Sequence, residues 1–96
     1  MEMHQLRYAV AVARAGNFSR AAEQCHVAQP SLSQQIQKLE DELGERLFER
    51  LKRTTPLTPA GEAFLQRALR ILEEVDAAKR EATDAGNLLR GALRLG

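Results

Sequence analysis

The sequence predicts a mainly α-helical fold, in which three short helices and a two-stranded hairpin precede one long helix. Three observations predict it. Apolar residues recur every three or four positions over four separate stretches, as in helices with one buried face. Glycine or proline stands at the ends of these stretches. The segment "RLFERLKRTTPLTP", between the third stretch and the fourth, has no helical period. The 96 residues suffice for one small domain.

The first two helices are separated by a glycine. Apolar spacing predicts a helix over residues 3–15, and Gly16 follows it as a stop signal. Asn17 is a candidate N-cap for the second helix, which carries a row of apolar side chains ending at Cys25. The segment "HVAQ" then breaks the helical pattern, so we expect a turn before the third helix.

The third helix is predicted over residues 30–44, because proline is tolerated in a first helical turn. Its apolar positions form a narrow stripe: Leu32, Ile36, Leu39 and Leu43. The opposite face carries glutamines and serines where a merely solvated face usually carries charged pairs. These side chains can donate to and accept from base edges, and glutamine is a bidentate partner of adenine. No acidic residue occurs over 27–39, so nothing there repels phosphate.

Charge is uneven along the chain, although the net charge is only +1. Residues 46–58 contain four basic residues and one acidic residue, a local +3, while residues 40–45 contain four acidic residues and no basic one. The basic segment is predicted to form two short strands around a turn at Lys52 and Arg53, with Pro56 at a strand edge. Such a turn beside a base-contacting helix would supply phosphate contacts.

The fourth helix is predicted to begin near Thr58, a candidate N-cap, with Pro59 in its first turn. Apolar or small residues recur at heptad spacing through residue 85: Gly61, Phe64, Ala68, Ile71, Val75, Ala78, Ala82 and Ala85. A helix over residues 59–85 contains 27 residues and spans about 40 Å, too long to be covered by the preceding part of the chain. We therefore expect part of this seam to pack against a second copy. The residues assigned to dimerisation are Phe64, Ala68, Ile71, Leu72, Val75, Ala78 and Ala82. Phe64 and Ala68 are also expected to pack on their own domain.

Catalytic and metal-binding chemistry is not indicated. Cys25 and His26 are adjacent and do not share a helix face, and no Cys/His cluster with metal spacing occurs. Cys25 continues an apolar row and is predicted to be a small core residue, with His26 in a turn. A single cysteine allows no intrachain disulfide, which suits the cytoplasm. No apolar run is long enough to span a bilayer. We expect a protein without enzymatic activity and without a cofactor in these residues.

The stretch "FSRAAEQCHVAQPSLSQQIQKLEDELGERLFER" resembles the winged helix-turn-helix of LysR-type transcriptional regulators, a bacterial family. The segment "LTPAG" and the helix after it resemble the linker helix of that family. The resemblance implies a winged helix-turn-helix domain over residues 1–58 and a linker and dimerisation helix over 59–90. Residues 91–96, "GALRLG", would then begin the first strand of a missing domain that binds a small-molecule effector. Within the family, "CHVAQPSLSQQIQKLEDELG" is similar to the peroxide-sensing members.

The resemblance also implies roles for individual residues. The helix over 30–44 would lie in the major groove, with Arg53 near the minor groove, Arg50 near phosphate and Asn17 at the backbone. The major-groove set is Gln29, Pro30, Ser31, Ser33, Gln34 and Lys38. The implied partners are double-stranded DNA with an inverted repeat, and a homodimer that becomes a tetramer in the full-length chain. Ala28 and Thr55 depart from the family, in which a capping Ser or Thr and a Val are usual; loss of the cap costs about 1 kcal/mol.

One alternative follows from the residues alone. A helical bundle with a coiled-coil arm could serve only protein partners, and the nearly neutral net charge favours this hypothesis. The local +3 and the glutamine and serine face favour DNA binding.

Overall fold

The computed structural model describes residues 1–95, with side chains described for residues 1–89. Four helices follow one another along the chain: α1 (Met3–Ala15), α2 (Phe18–Cys25), α3 (Gln29–Leu43) and α4 (Pro59–Leu95). The mainly helical fold predicted from the sequence is therefore confirmed, and the ends of α3 differ by a single residue from the prediction.

The core lies where α1, α2 and α3 meet. Its largest fully buried side chains include Val12 of α1, the α3 residues Leu32, Ile36 and Leu39, and Phe48 after α3. The three α3 residues are the apolar positions expected from helical spacing, whereas Phe48 lies in the segment without a helical period. Leu43, also expected on the buried stripe, is 38% exposed because the last turn of α3 extends beyond the core.

Left-handed residues end the first three helices. Gly16 (φ 81°) and Gly44 (φ 71°) follow α1 and α3, and their N–H groups donate to carbonyl oxygens of the preceding turn. His26 ends α2 with φ 57° and ψ 42°, which confirms it as a turn residue. Three abrupt changes of direction therefore occur over the first 44 residues, which allows the helices to pack across one another.

The basic segment forms a hairpin without continuous strands. Hydrogen bonds run from Leu51 N–H to Thr54 O (3.1 Å), from Glu49 N–H to Pro56 O (2.8 Å) and from Thr58 N–H to Leu47 O (2.9 Å). The three bonds join residues in the consistent pairing of a hairpin that turns at a two-residue tip, Lys52 and Arg53. Pro56 has no N–H to return a bond to Glu49, so the ladder is interrupted and one isolated bridge between Phe48 and Leu57 remains. The predicted hairpin is therefore formed, but its two strands are not continuous.

The start of α4 is fixed against the hairpin by close backbone contact. Thr58 Oγ1 accepts a hydrogen bond from Gly61 N–H (3.0 Å) and donates one to Arg46 O (2.6 Å). The predicted cap is therefore confirmed. A Cβ on Gly61 would collide with the carbonyl group of Leu47, so only glycine lets α4 approach the hairpin backbone this closely.

The next turns of α4 pack on α1. Leu6 and Val10 of α1 form a second buried cluster with Ala68, and Leu72 packs partly against it. Phe64 and Ala68 thus contact their own domain, as expected. Leu72 does so too, although the sequence assigned it to a partner chain, because it lies on the same face of α4 as Ala68.

The far part of α4 extends away from the head, defined as α1, α2, α3 and the hairpin. Ala78 and Ala82 are exposed, and Leu88 and Leu89 are 76% and 67% exposed. The helix continues to Leu95, so the strand predicted over residues 91–96 is not formed over 91–95. A strand requires a neighbouring strand for its hydrogen bonds, and none of the described residues provides one. Residue 96 lies outside the described residues, and the assignment of 91–96 to a further domain stays a prediction. No helix among residues 1–95 combines the length and apolar character needed to cross a bilayer.

Candidate nucleic-acid interface

The turn between α2 and α3 sets the orientation of α3. Asn17 caps α2 by accepting a hydrogen bond from Arg20 N–H at 2.7 Å, as its sequence position predicted. After α2, Val27 N–H donates to Ala22 O at 3.0 Å and closes the turn. Ala28 occupies the N-cap of α3 without a side-chain cap, so this helix begins with the expected loss of one hydrogen bond.

The outer face of α3 is exposed and almost uncharged. Leu32, Ile36 and Leu39 are fully buried on the inner face. The outer face forms a shallow concavity of about 540 Å³ lined by Pro30, Ser31, Ser33, Gln34 and Gln37. Gln29 and Lys38 are also exposed. The structure thus brings the six residues predicted for the major groove onto one helix, with all except the half-buried Ser33 open to solvent. Their contact with DNA stays a prediction.

The glutamines of α3 differ in what they bond. Ser19 Oγ of α2 donates to Gln29 Oε1 at 2.9 Å, and Gln37 Nε2 donates to Asp41 Oδ1 at 3.0 Å. Gln35 faces α1 instead, where its Oε1 accepts from Gln5 Nε2 at 3.2 Å. Gln34 has no hydrogen bond with any described residue, so both its amide oxygen and its amide nitrogen are available to a ligand.

Glu40 connects the end of α3 to the hairpin, a role that the sequence analysis missed. The residue is 4% exposed, and its Oε2 accepts hydrogen bonds from Leu47 N–H (2.7 Å) and Phe48 N–H (3.4 Å). Its Oε1 lies 3.4 Å from Arg50 Nη2 in an ion pair. Helical spacing could have predicted that Glu40 is buried, because position 40 lies one turn after Ile36 on the buried side of the helix.

The two hairpin arginines lie in different surroundings. The Arg50 guanidinium is paired with Glu40 and lies 4.8 Å from the ring centre of Phe18, so the domain fixes its position. Lys52 and Arg53 form the two-residue tip and are exposed, and neither has an ion pair with a described residue. The tip therefore presents two positive charges to solvent.

Acidic side chains surround the C-terminal end of α3, away from the serines and glutamines of its N-terminal half. Asp41, Glu42 and Glu45 are exposed around its C-terminus. Glu42 accepts a hydrogen bond from the Met1 amino group at 2.8 Å, which raises the pKa of that amino group. A polyanion would therefore meet the N-terminal half of α3 and the hairpin tip, and would be repelled from the C-terminal end.

Cys25 and His26 form no reactive pair. The Cys25 side chain packs against the core, and burial raises the pKa of its thiol, which disfavours the nucleophilic thiolate. Among the described residues, no group of three His, Cys, Asp or Glu side chains is placed to hold a metal ion. The predicted core role of Cys25 is confirmed.

A helix whose uncharged polar face is exposed, carried by a helix-turn-helix and followed by a basic hairpin, defines a DNA-binding protein of the winged helix-turn-helix class. Residues 3–62 match the domain described as "Bacterial regulatory helix-turn-helix protein, lysR family". The chain belongs to this family, and it carries the family's DNA-binding domain.

Known relatives agree with this assignment over the whole chain. The chain is 50% identical over 96 residues to the HTH-type transcriptional regulator BudR of Klebsiella aerogenes, covering 67% of that protein. It is 45% identical over 96 residues to the DNA-binding transcriptional dual regulator OxyR of Escherichia coli (strain K12), covering 32% of it. The chain thus spans about a third to two thirds of the length of these relatives. The identity to OxyR, 45%, does not exceed the identity to BudR, 50%.

A solved structure agrees with the fold. The crystal structure of the DNA-binding domain of CbnR with DNA matches 90% of this chain and 99% of its own, with a TM-score of 0.86 and 46% identity. The predicted winged helix-turn-helix followed by a linker helix is therefore confirmed as the architecture.

Proposed function

We propose that the chain recognises a specific duplex sequence by placing the outer face of α3 in the major groove while the hairpin tip contacts the adjacent backbone and minor groove. The exposed, uncharged polar face of α3, together with the exposed Lys52–Arg53 tip, carries this proposal. Base edges are recognised by neutral donors and acceptors, whereas phosphates are held by positive charge. The chain offers both within one surface.

Individual residues take different parts in this proposal. Gln29, Ser33 and Gln34 contact base edges, and Pro30 and Ser31 fit against the groove. Lys38 also faces the major groove, Arg50 and Asn17 act on the phosphate backbone, and Arg53 enters the minor groove. Asn17 contributes through the start of α2, because its own side chain is occupied by Arg20 N–H. Arg50 acts from a position held by Glu40.

The proposal extends to assembly and regulation. Two copies joined along α4 would recognise an inverted repeat, and a longer chain would form a tetramer and carry a domain for a small-molecule effector. Such a regulator acts where the bacterial chromosome is, so the proposal includes a cytoplasmic location. Its activity is binding and not catalysis. Resemblance to the peroxide-sensing members remains a suggestion, since BudR is at least as similar.

Salt dependence tests the proposal directly. If a dimer neutralises about six phosphates, its affinity for duplex DNA should fall about 10³-fold between 50 and 200 mM salt, because condensed counterions are released on binding. Fluorescence anisotropy with a labelled duplex at several salt concentrations measures the slope. A flat response, or no binding at low salt, would contradict the proposal and favour a module that binds only proteins.

A further inference from the structure

The hydrogen bond between Ser19 and Gln29 joins the two helices of the helix-turn-helix. Ser19 is the second residue of α2 and Gln29 is the first residue of α3. Ser19 Oγ donates to Gln29 Oε1 at 2.9 Å, and both residues are exposed. The side chain expected to enter the groove first is therefore already bonded through its amide oxygen before any DNA is present.

This bond changes what Gln29 can offer to a base. A free glutamine amide presents an acceptor and a donor together, and it fits adenine by accepting from N6 and donating to N7. Ser19 engages one of the two lone pairs of Oε1 and fixes the amide plane, while the NH2 group has no partner among the described residues, so Gln29 acts chiefly as a donor. Guanine presents two neighbouring acceptors, N7 and O6, in the major groove. Gln29 then fits guanine better than adenine.

The bond should persist when the helix enters DNA. Water that competes for the amide oxygen is removed from the groove, and an unsatisfied buried oxygen is unfavourable. Ser19 satisfies that oxygen without requiring a donor from the base. The bond also fixes the glutamine rotamer in advance, which reduces the ordering required on binding. Gln34 has no such partner and keeps both functions of its amide.

We infer that Ser19 determines the base preference of Gln29, as a positioning residue that makes this glutamine a donor and so favours guanine at the base pair it contacts. The inference rests on the proposed function, in which Gln29 faces base edges. Loss of the Ser19 hydroxyl would free Oε1 and shift the preference at this one base pair towards adenine. Other base pairs would be unaffected.

Selection from a randomised duplex pool with the 96-residue chain tests this inference. The base pair contacted by Gln29 is identified as the position at which Gln29→Ala loses its preference. At that position the unsubstituted chain should select guanine, and titrations of paired guanine and adenine duplexes should show Ser19→Ala lowering the guanine-to-adenine affinity ratio about tenfold. Ser19→Thr keeps the hydroxyl and should retain the original ratio.

A second comparison separates positioning from direct contact. If Ser19 acts through Gln29, Ser19→Ala should leave the affinity ratio unchanged in a chain that already carries Gln29→Ala. Equal weakening on both duplexes would instead show that Ser19 holds phosphate, and the inference would be wrong. It would also be wrong if the unsubstituted chain preferred adenine there, or if Ser19→Ala left the selected sequence unchanged. Failure of the unsubstituted chain to select any sequence would overturn the proposed function itself.

Discussion

Gln34 and Arg53 are both exposed, yet they should contribute differently to binding. Gln34 has a free amide on the base-facing surface, so Gln34→Ala should cost about 1–3 kcal/mol on the selected site and much less on random duplex. Arg53 lies at the hairpin tip. Arg53→Ala should weaken binding to both duplexes, with an additional loss where the minor groove is narrow. Titration of both variants against both duplexes measures the difference.

An exposed glutamine outside the interface provides the matched control for Gln34. Gln66 lies on α4 and is exposed. Gln66→Ala should leave both affinities unchanged, because its side chain lies on neither α3 nor the hairpin. If Gln34→Ala weakened binding equally on specific and random duplexes, Gln34 would not contribute to sequence recognition.

At the scale of single residues, the sequence predicted which side chains are exposed more readily than which hydrogen bonds they form. Helical spacing placed Leu32 and Ile36 inside and Gln34 outside, and the structure agrees. Spacing alone could not show that Gln35 bonds Gln5 of α1, or that Glu40 bonds the hairpin backbone, because both bonds join a helix to a different element. A buried carboxylate is stable only with such partners, which sequence periodicity does not contain.

At the scale of elements, Glu40 should fix the hairpin to α3. Glu40→Ala would leave the Leu47 N–H without its partner, and a buried unsatisfied donor costs about 1–3 kcal/mol. For a domain of this size the midpoint of thermal unfolding should fall by roughly 4–8 °C per kcal/mol. Circular dichroism during heating measures the change.

Two further substitutions make the test of Glu40 specific. Glu40→Gln keeps a carbonyl oxygen that can accept from Leu47 N–H, so it should lower the midpoint less than Glu40→Ala. Asp41→Ala removes an exposed carboxylate on the same helix and should have little effect. Equal midpoints for Glu40→Ala and Asp41→Ala would show that the backbone bonds to Glu40 do not stabilise the domain.

The elements themselves were largely predictable, and the exceptions have local causes. Helical period and caps located all four helices. The hairpin turn at Lys52 and Arg53 was predicted, but Pro56 interrupts the ladder, so only one bridge remains between the two sides. The helix α4 continues through residues 91–95, where a strand was predicted, and the assignment of 91–96 to a further domain stays a prediction.

At the scale of the whole molecule, α4 makes the chain extended. The radius of gyration is 17.5 Å and the principal extents are 63 × 25 × 19 Å, whereas a compact chain of this length would have a radius near 12 Å. The 37 residues of α4 span about 55 Å. One side of the first half of α4 packs on α1, while Ile71 is 37% exposed and Leu88 and Leu89 are more so. This arrangement leaves apolar surface available to a second copy.

Ile71 and Leu72 are neighbours that should separate dimerisation from folding. Ile71 is exposed, whereas Leu72 packs partly on Leu6, Val10 and Ala68. Leu72→Asp should therefore destabilise the head, because it places a charge beside that cluster. Ile71→Asp should leave the thermal midpoint of the monomeric chain nearly unchanged, so any loss of function in this variant reflects assembly.

Ile71→Asp should convert the dimer into a monomer. A two-fold interface would contain the introduced charge twice, and unpaired buried charges cost several kcal/mol. One α3 contacts only a few base pairs, so a monomer should keep weak half-site binding and lose tight binding to an inverted repeat. Sedimentation velocity gives the mass, and titration with half-site and full-site duplexes gives the affinities. A variant that stayed dimeric and kept its full-site affinity would place the two-fold contact away from Ile71, and the exposed Leu88 and Leu89 would be the next residues to substitute.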